Sequence, residues 1–158
     1  MKIAIATALA CYSMVVSPAI ARSQTVLEEI AETGVLEVGI RQNAIPLSYR
    51  DGLGNLRGYC IDLVNLMQER LTDMLDRPAE VGIRIHRSTP TNRFDLVQAG
   101  TVHIECGPNS QRLEAEGVVF SDPFFVTGIQ FLIREDDRDR FAEETDLGGW
   151  LVGVLENT

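Results

Sequence analysis

Short apolar runs alternate with segments of helical period along this chain, and few folds accommodate that order. Thr25-Val26-Leu27-Glu28 is a capping-box pattern, a hydroxyl three residues ahead of a carboxylate, and it predicts a short helix ending at Gly34. Val35, Leu36, Val38 and Ile40 make 35–41 a largely apolar strand, suited to a buried parallel sheet. Pro46-Leu47-Ser48-Tyr49, followed by Asp51-Gly52 and Gly54-Asn55, reads as an extended piece and a tight turn. Over 60–75, Ile61, Val64, Met67, Leu71 and Leu75 recur at three- and four-residue spacing, so a helix with one apolar face is expected, stopped by Pro78. Val81, Ile83 and Ile85 alternate with Gly82, Arg84 and His86, the period of a strand. A short helix is expected over 91–99, ended by Gly100, and Val102 and Ile104 mark a strand that runs into Cys106. Further strands are expected over 124–133 and 151–155, separated by an acidic, arginine-rich connector. The alternation predicts an α/β fold with a mainly parallel sheet flanked by helices. Sheets of that kind bind ligands in the crevice beyond the carboxyl ends of their strands.

Residues 1–21 stand apart from this pattern. Lys2 precedes an apolar run over 3–16, and Ala19-Ile20-Ala21 is an A-x-A cleavage pattern. The run is shorter than the roughly 20 residues a membrane-spanning helix needs, so a cleaved secretory signal and a periplasmic destination are expected. Cys11 would leave with the signal, and Cys60 and Cys106 would remain as an even pair in an oxidising compartment. A Cys60–Cys106 bond is expected, with Cα atoms within about 7 Å; two unrelated buried thiols are the alternative. The formal charge of -9 argues against a nucleic-acid partner. Two cysteines and two distant histidines show no metal-ligand spacing, and no cofactor is expected.

Arg41 sits where a buried strand opens into a loop, and a guanidinium offers a planar fork of donors that matches a carboxylate. Arg93 lies near the start of the second short helix, where helix amides also favour negative charge. The alternative is that both are solvated surface arginines. Gly107-Pro108-Asn109-Ser110 can present a carbonyl, a hydroxyl and backbone amides to a zwitterion, although it is also ordinary turn chemistry. His86 and His103 read as structural, Phe94, Phe124 and Phe125 as core, and 136–140 as a solvated connector. No nucleophile–base or paired-carboxylate arrangement supports catalysis, so the chain is not expected to be an enzyme.

The ordered set Thr33-Gly34-Val35-Leu36-Glu37-Val38-Gly39-Ile40-Arg41, Ile45-Pro46-Leu47-Ser48-Tyr49-Arg50-Asp51 and Gly58-Tyr59-Cys60-Ile61-Asp62 resembles the family 3 extracellular solute-binding proteins. Thr91-Asn92-Arg93, Ile104-Glu105-Cys106-Gly107 and the run from Phe120-Ser121-Asp122-Pro123 to Phe124-Phe125-Val126-Thr127-Gly128 continue the resemblance, which is closest to the glutamate/aspartate-binding branch. It implies a periplasmic binding protein type II-like fold in which an amino acid binds between two lobes that close over it. On that reading 1–21 is the signal, 22–128 the first lobe, and 129–158 a hinge strand, a connector and the first strand of a second lobe that is largely missing, so that the chain is a fragment. The resemblance implies a monomeric solute-binding component that delivers a polar or acidic amino acid to the membrane permease of an ABC transporter. The alternative is the ligand-sensing domain of a signalling receptor or ligand-gated channel.

The resemblance also implies carboxylate-holding roles for Arg41 and Arg93, and head-group contacts from Pro108 and Ser110, with Asn109 beside them. Ala44 and Pro90 occupy positions where many relatives sandwich the ligand between aromatics, which suits a polar ligand. Pro90 also stands where the acidic branch carries a serine, for which Thr89 or Thr91 can substitute. The 107–120 loop is shorter than usual, and Arg112 is the nearest counterpart of a head-group arginine.

Overall fold

A computed structural model of the protein describes residues 24–111, 115–128, 130–141 and 147–156. The expected signal segment and Arg112 therefore lie outside the described residues. Helix α1 (Val26–Thr33) starts as its capping box dictates: Thr25 Oγ1 accepts from the Glu28 amide at 3.2 Å, and the Thr25 amide donates to Glu28 Oε2 at 2.8 Å. It ends on Gly34 in the left-handed conformation. Strand β1 (Val35–Ile40) follows at once and becomes the centre of a parallel sheet.

Three short strands come next, β2 (Asn43–Ala44), β3 (Ser48–Arg50) and β4 (Leu56–Arg57), in a small antiparallel sheet. Asp51 closes its β3–β4 turn, accepting the amides of Leu53 at 2.9 Å and Asn55 at 2.8 Å. Helix α2 (Tyr59–Met74) has no side-chain cap at Gly58. Its first amides are instead satisfied by the chain before it, Tyr59 N–H donating to Pro46 O at 3.2 Å and Cys60 N–H to Leu47 O at 2.8 Å. That junction requires glycine. Gly58 has φ +114°, and a Cβ there would stand 2.6 Å from the carbonyl oxygens of both Pro46 and Leu47. Gly58→Ala is expected to destabilise the protein by about 2 kcal/mol or more, read as a lower urea midpoint at unchanged slope.

Strand β5 (Gly82–Arg87), helix α3 (Arg93–Gln98) and strand β6 (Ile104–Cys106) complete the regular structure that surrounds the sheet. The sheet order is β5-β1-β6, all parallel, with Gly39 paired to His86 on one side and to Glu105 on the other. Because side chains alternate across a strand, this register sorts the residues by face. Leu36, Val38, Ile40 and Cys106 join the core that Cys60, Val64 and Leu71 of α2 fill, together with Ile30 of α1. The opposite face carries Glu37, Gly39, Arg84, His86, His103 and Glu105. On it, Glu37 takes hydrogen bonds from Arg84 and, at 2.7 Å, meets His86 Nε2.

Two expected strands are not formed. The described residues of 124–133 and 151–155 have no ladder partner and no regular structure, because a strand exists only where another edge receives its amides and carbonyls. For the same reason Phe124 and Phe125 are not core: they are 39% and 43% exposed. Phe124 stacks on Tyr59 instead, ring centroids 5.7 Å apart. The acidic connector forms an exposed 3-10 helix (Glu135–Phe141) braced by Arg140 on Asp137 at 3.0 Å and Arg138 on Glu135 at 3.3 Å.

Candidate functional site

The three parallel strands end side by side, so the residues that follow them are neighbours although 41, 88 and 107 are far apart in sequence. Ser88 N–H donates to Ile40 O at 3.1 Å, which extends the β5–β1 ladder by one step and sets Ser88 beside Arg41. On the other side, a Cβ built on Gly107 would be 3.5 Å from Arg41 Cδ, so the stem of Arg41 runs along the start of the 107–110 turn.

Arg41 and Arg93 are 7% and 5% exposed, which removes the surface alternative for both. Arg41 Nε is buried with no hydrogen-bond partner among the described residues, and no carboxylate among them forms an ion pair with it. Burying a charge without a close partner costs several kcal/mol, so a guanidinium kept in that state is poised for an anion from outside. Arg93 reaches its place through α3. Thr89 and Asn92 cap the preceding turn reciprocally, Thr89 N–H donating to Asn92 Oδ1 at 2.7 Å and Asn92 N–H to Thr89 Oγ1 at 3.2 Å. The Arg93 guanidinium then folds back to donate to Pro90 O and lies 4.5 Å over the Phe94 ring.

Glu105 lies within the field of both arginines. Ser88 Oγ donates to its Oε1 at 2.6 Å, and the Asn109 amide donates to Oε2. Burial holds its carboxyl above the ordinary glutamate pKa, against the opposing pull of the Ser88 and Asn109 hydrogen bonds and the positive fields of Arg93 and Arg41. Room for this side chain comes from its partner across the ladder: a Cβ on Gly39 would meet Glu105 Cγ at 2.8 Å.

Of the residues singled out in the sequence, Arg41, Thr89, Arg93 and Asn109 are gathered here. Thr89 is committed to its turn, its hydroxyl also 3.0 Å from Thr91 Oγ1. Asn109 is committed to Glu105, with its Oδ1 buried and unbonded. Pro108 and Ser110 are exposed on the 107–110 turn. Cys60 and Cys106 are joined in a disulfide, Cα atoms 5.7 Å apart, which ties the root of that turn to the first residues of α2. His103 is part of the frame, its Nδ1 accepting the Glu37 amide at 3.2 Å. Glu105 is the residue that sequence reasoning passed over. Its signal was an acid in an apolar strand whose register partner is a glycine. An open, mostly apolar cavity of about 760 Å³ lies between Leu47, Leu63, Met67, Phe94 and the 118–127 segment; its lining includes Glu105 and the 107–110 turn but neither arginine.

A parallel α/β sheet flanked by helices, with a buried arginine at the carboxyl end of its central strand, has the architecture of a lobe of the periplasmic binding protein kind. The chain belongs to the bacterial extracellular solute-binding proteins, family 3, whose model matches residues 36–155. It is 34% identical over 133 residues to the glutamate/aspartate import solute-binding protein of Salmonella typhimurium, an alignment covering 84% of this chain and 43% of that one. The L-glutamate/L-aspartate-binding protein of Pseudomonas aeruginosa is 36% identical over 111 residues, covering 69% of this chain and 36% of that one. Among solved structures, an ancestral amino-acid-binding protein described as a precursor of cyclohexadienyl dehydratase superposes with a TM-score of 0.68 at 27% identity, over 78% of this chain and 51% of the other. The chain thus spans about two fifths of the length of these curated relatives.

Proposed function

We propose that this chain contributes the first lobe, 22–128, of the solute-binding component of an amino-acid ABC transporter, and that its ligand is a polar or acidic amino acid of the glutamate/aspartate type. The observation that carries this reading is the buried Arg41 guanidinium, without a hydrogen bond at Nε, at the carboxyl end of the central strand. A carboxylate supplies the charge and the planar acceptor pair that such a group lacks. Arg93 adds a second positive field at the same corner, and the 107–110 turn offers the Pro108 carbonyl and the Ser110 hydroxyl to the ligand's head group. The names of the relatives from Salmonella typhimurium and Pseudomonas aeruginosa support the acidic class. In this reading 1–21 is a signal that directs the protein to the periplasm, 129–158 leads into the second lobe, and the protein acts as a monomer that hands its ligand to a membrane permease. The role is binding, not catalysis.

The test is a thermal-shift screen of the full-length protein against the twenty L-amino acids, followed by calorimetry on those that stabilise it. L-glutamate, L-aspartate or their amides are expected to raise Tm in a concentration-dependent way. Stabilisation by cationic or purely aliphatic amino acids alone would reject the acidic assignment.

A further inference from the structure

We propose that Glu105 is the internal counter-ion of this site, a positioning residue that shares the field of Arg41 with an incoming carboxylate, so that ligand binding takes up a proton. The proposal rests on the amino-acid-binding reading above and adds to it a residue and a linkage. Its geometric basis is the meeting of the two side chains at Gly107, where a Cβ would stand 3.1 Å from Glu105 Oε1 and 3.5 Å from Arg41 Cδ. Glu105 is held from two sides by Ser88 and Asn109 and lies in the fields of Arg41 and Arg93, yet it forms no ion pair with Arg41. The Glu105 charge therefore moderates the buried Arg41 charge at a distance and leaves the Arg41 donors open.

The surrounding charges are accounted for element by element. Arg41 follows β1, and Arg93 belongs to α3. On the shared sheet face, Glu37 of β1 occupies Arg84 and His86 of β5. His103, just before β6, turns to the Glu37 amide and, at 3.5 Å, to Glu29 of α1. Among the described residues, Arg93 and Arg41 are thus the cations whose fields favour the ionised form of Glu105. A ligand carboxylate arriving at Arg41 neutralises part of that field and adds a like charge nearby. Both effects favour protonated Glu105. The sign follows by linkage: a group that binds its proton more tightly in the complex makes affinity fall as pH rises through its titration range.

The discriminating variant is Glu105→Gln in the full-length protein. Glutamine keeps an oxygen for Ser88, and if the Asn109 amide turns over, its now unbonded Oδ1 can accept from the new amide. Calorimetry with L-glutamate and L-aspartate between pH 5 and 8, in buffers of different ionisation heat, reads affinity and proton uptake together. Wild type is expected to bind more weakly at the alkaline end with net proton uptake. Glu105→Gln is expected to bind about tenfold more tightly there, with a flat pH profile and no uptake. Glu105→Asp should restore the slope, which a purely structural role would not require. A Glu105→Gln protein that keeps the wild-type slope and uptake overturns the proposal. A second measurement needs no ligand: the ¹³C titration of the Glu105 carboxyl, whose midpoint should rise in Arg41→Gln and overturns the proposal if it stays put. Wild type that binds none of the amino acids defeats the amino-acid reading, and the carboxyl titration then still decides the counter-ion.

Discussion

Arg41→Ala is expected to weaken binding of the best amino-acid ligand by about 2–5 kcal/mol, a loss of roughly thirtyfold to several thousandfold in affinity. The size follows from where the group sits. At 7% exposure and without a hydrogen bond at Nε among the described residues, Arg41 would meet a ligand carboxylate in a setting that screens the charge far less than water does. Arg41→Lys should recover only part of the loss, because an ammonium has the charge but not the planar fork that engages both carboxylate oxygens. The same substitution separates function from folding. Arg41→Ala should change the urea midpoint little, because Arg41 makes no ion pair among the described residues and Glu105 can take up a proton when the Arg41 field is lost, whereas loss of a structural cation would lower it. Arg93→Ala is expected to weaken binding too, but with some loss of stability, since its guanidinium also holds the Pro90 carbonyl and covers the Phe94 ring. Calorimetry on the full-length protein checks both variants. Unchanged affinity in both would remove the carboxylate site from this corner of the sheet.

Breaking the Cys60–Cys106 bond is expected to cost about 4 kcal/mol, from the chain-entropy relation applied to the sequence separation of 46 residues. Against the 5–15 kcal/mol that holds an ordinary domain together, such a loss is large. The bond joins the first turn of α2 to the last residue of β6, so it closes the core and roots the 107–110 turn at once. Urea unfolding of the wild type with and without reductant, alongside Cys60→Ser with Cys106→Ser, measures the effect. Ligand affinity should fall in parallel, because the 107–110 turn loses its anchor while Arg41 and Arg93 keep theirs. Coincident unfolding curves for the oxidised and reduced protein would show that packing alone holds these elements together.

Much of the frame was legible residue by residue. Thr25 with Glu28 and Gly34 marked both ends of α1, because caps are local chemistry written within a few residues. The apolar spacing from Ile61 to Leu75 marked α2, and the runs at 35–41, 81–86 and 102–106 marked the three parallel strands. The β2–β3–β4 sheet was glimpsed only as an extended piece and a tight turn. Its strands are two or three residues long, too short for a period to register, and Asp51 builds them from within the loop. The runs at 124–133 and 151–155 misled for the opposite reason. Their composition suits strands, but composition does not supply the neighbouring edge that turns an apolar run into a ladder. Within the site, Arg41 and Arg93 were legible as candidates and Glu105 was not. A strand's pattern says which face a side chain takes, but not which charges the next strands bring to it.

Helix caps, apolar periods and the order of strands and helices depend on neighbours within a few residues, and the amino-acid sequence determined them by itself. The convergence of Arg41, Ser88, Glu105 and Asn109 was decided by the tertiary structure alone. The β5-β1-β6 order and the Gly39–Glu105 register set it, because parallel pairing aligns strand ends that the chain reaches only after dozens of residues.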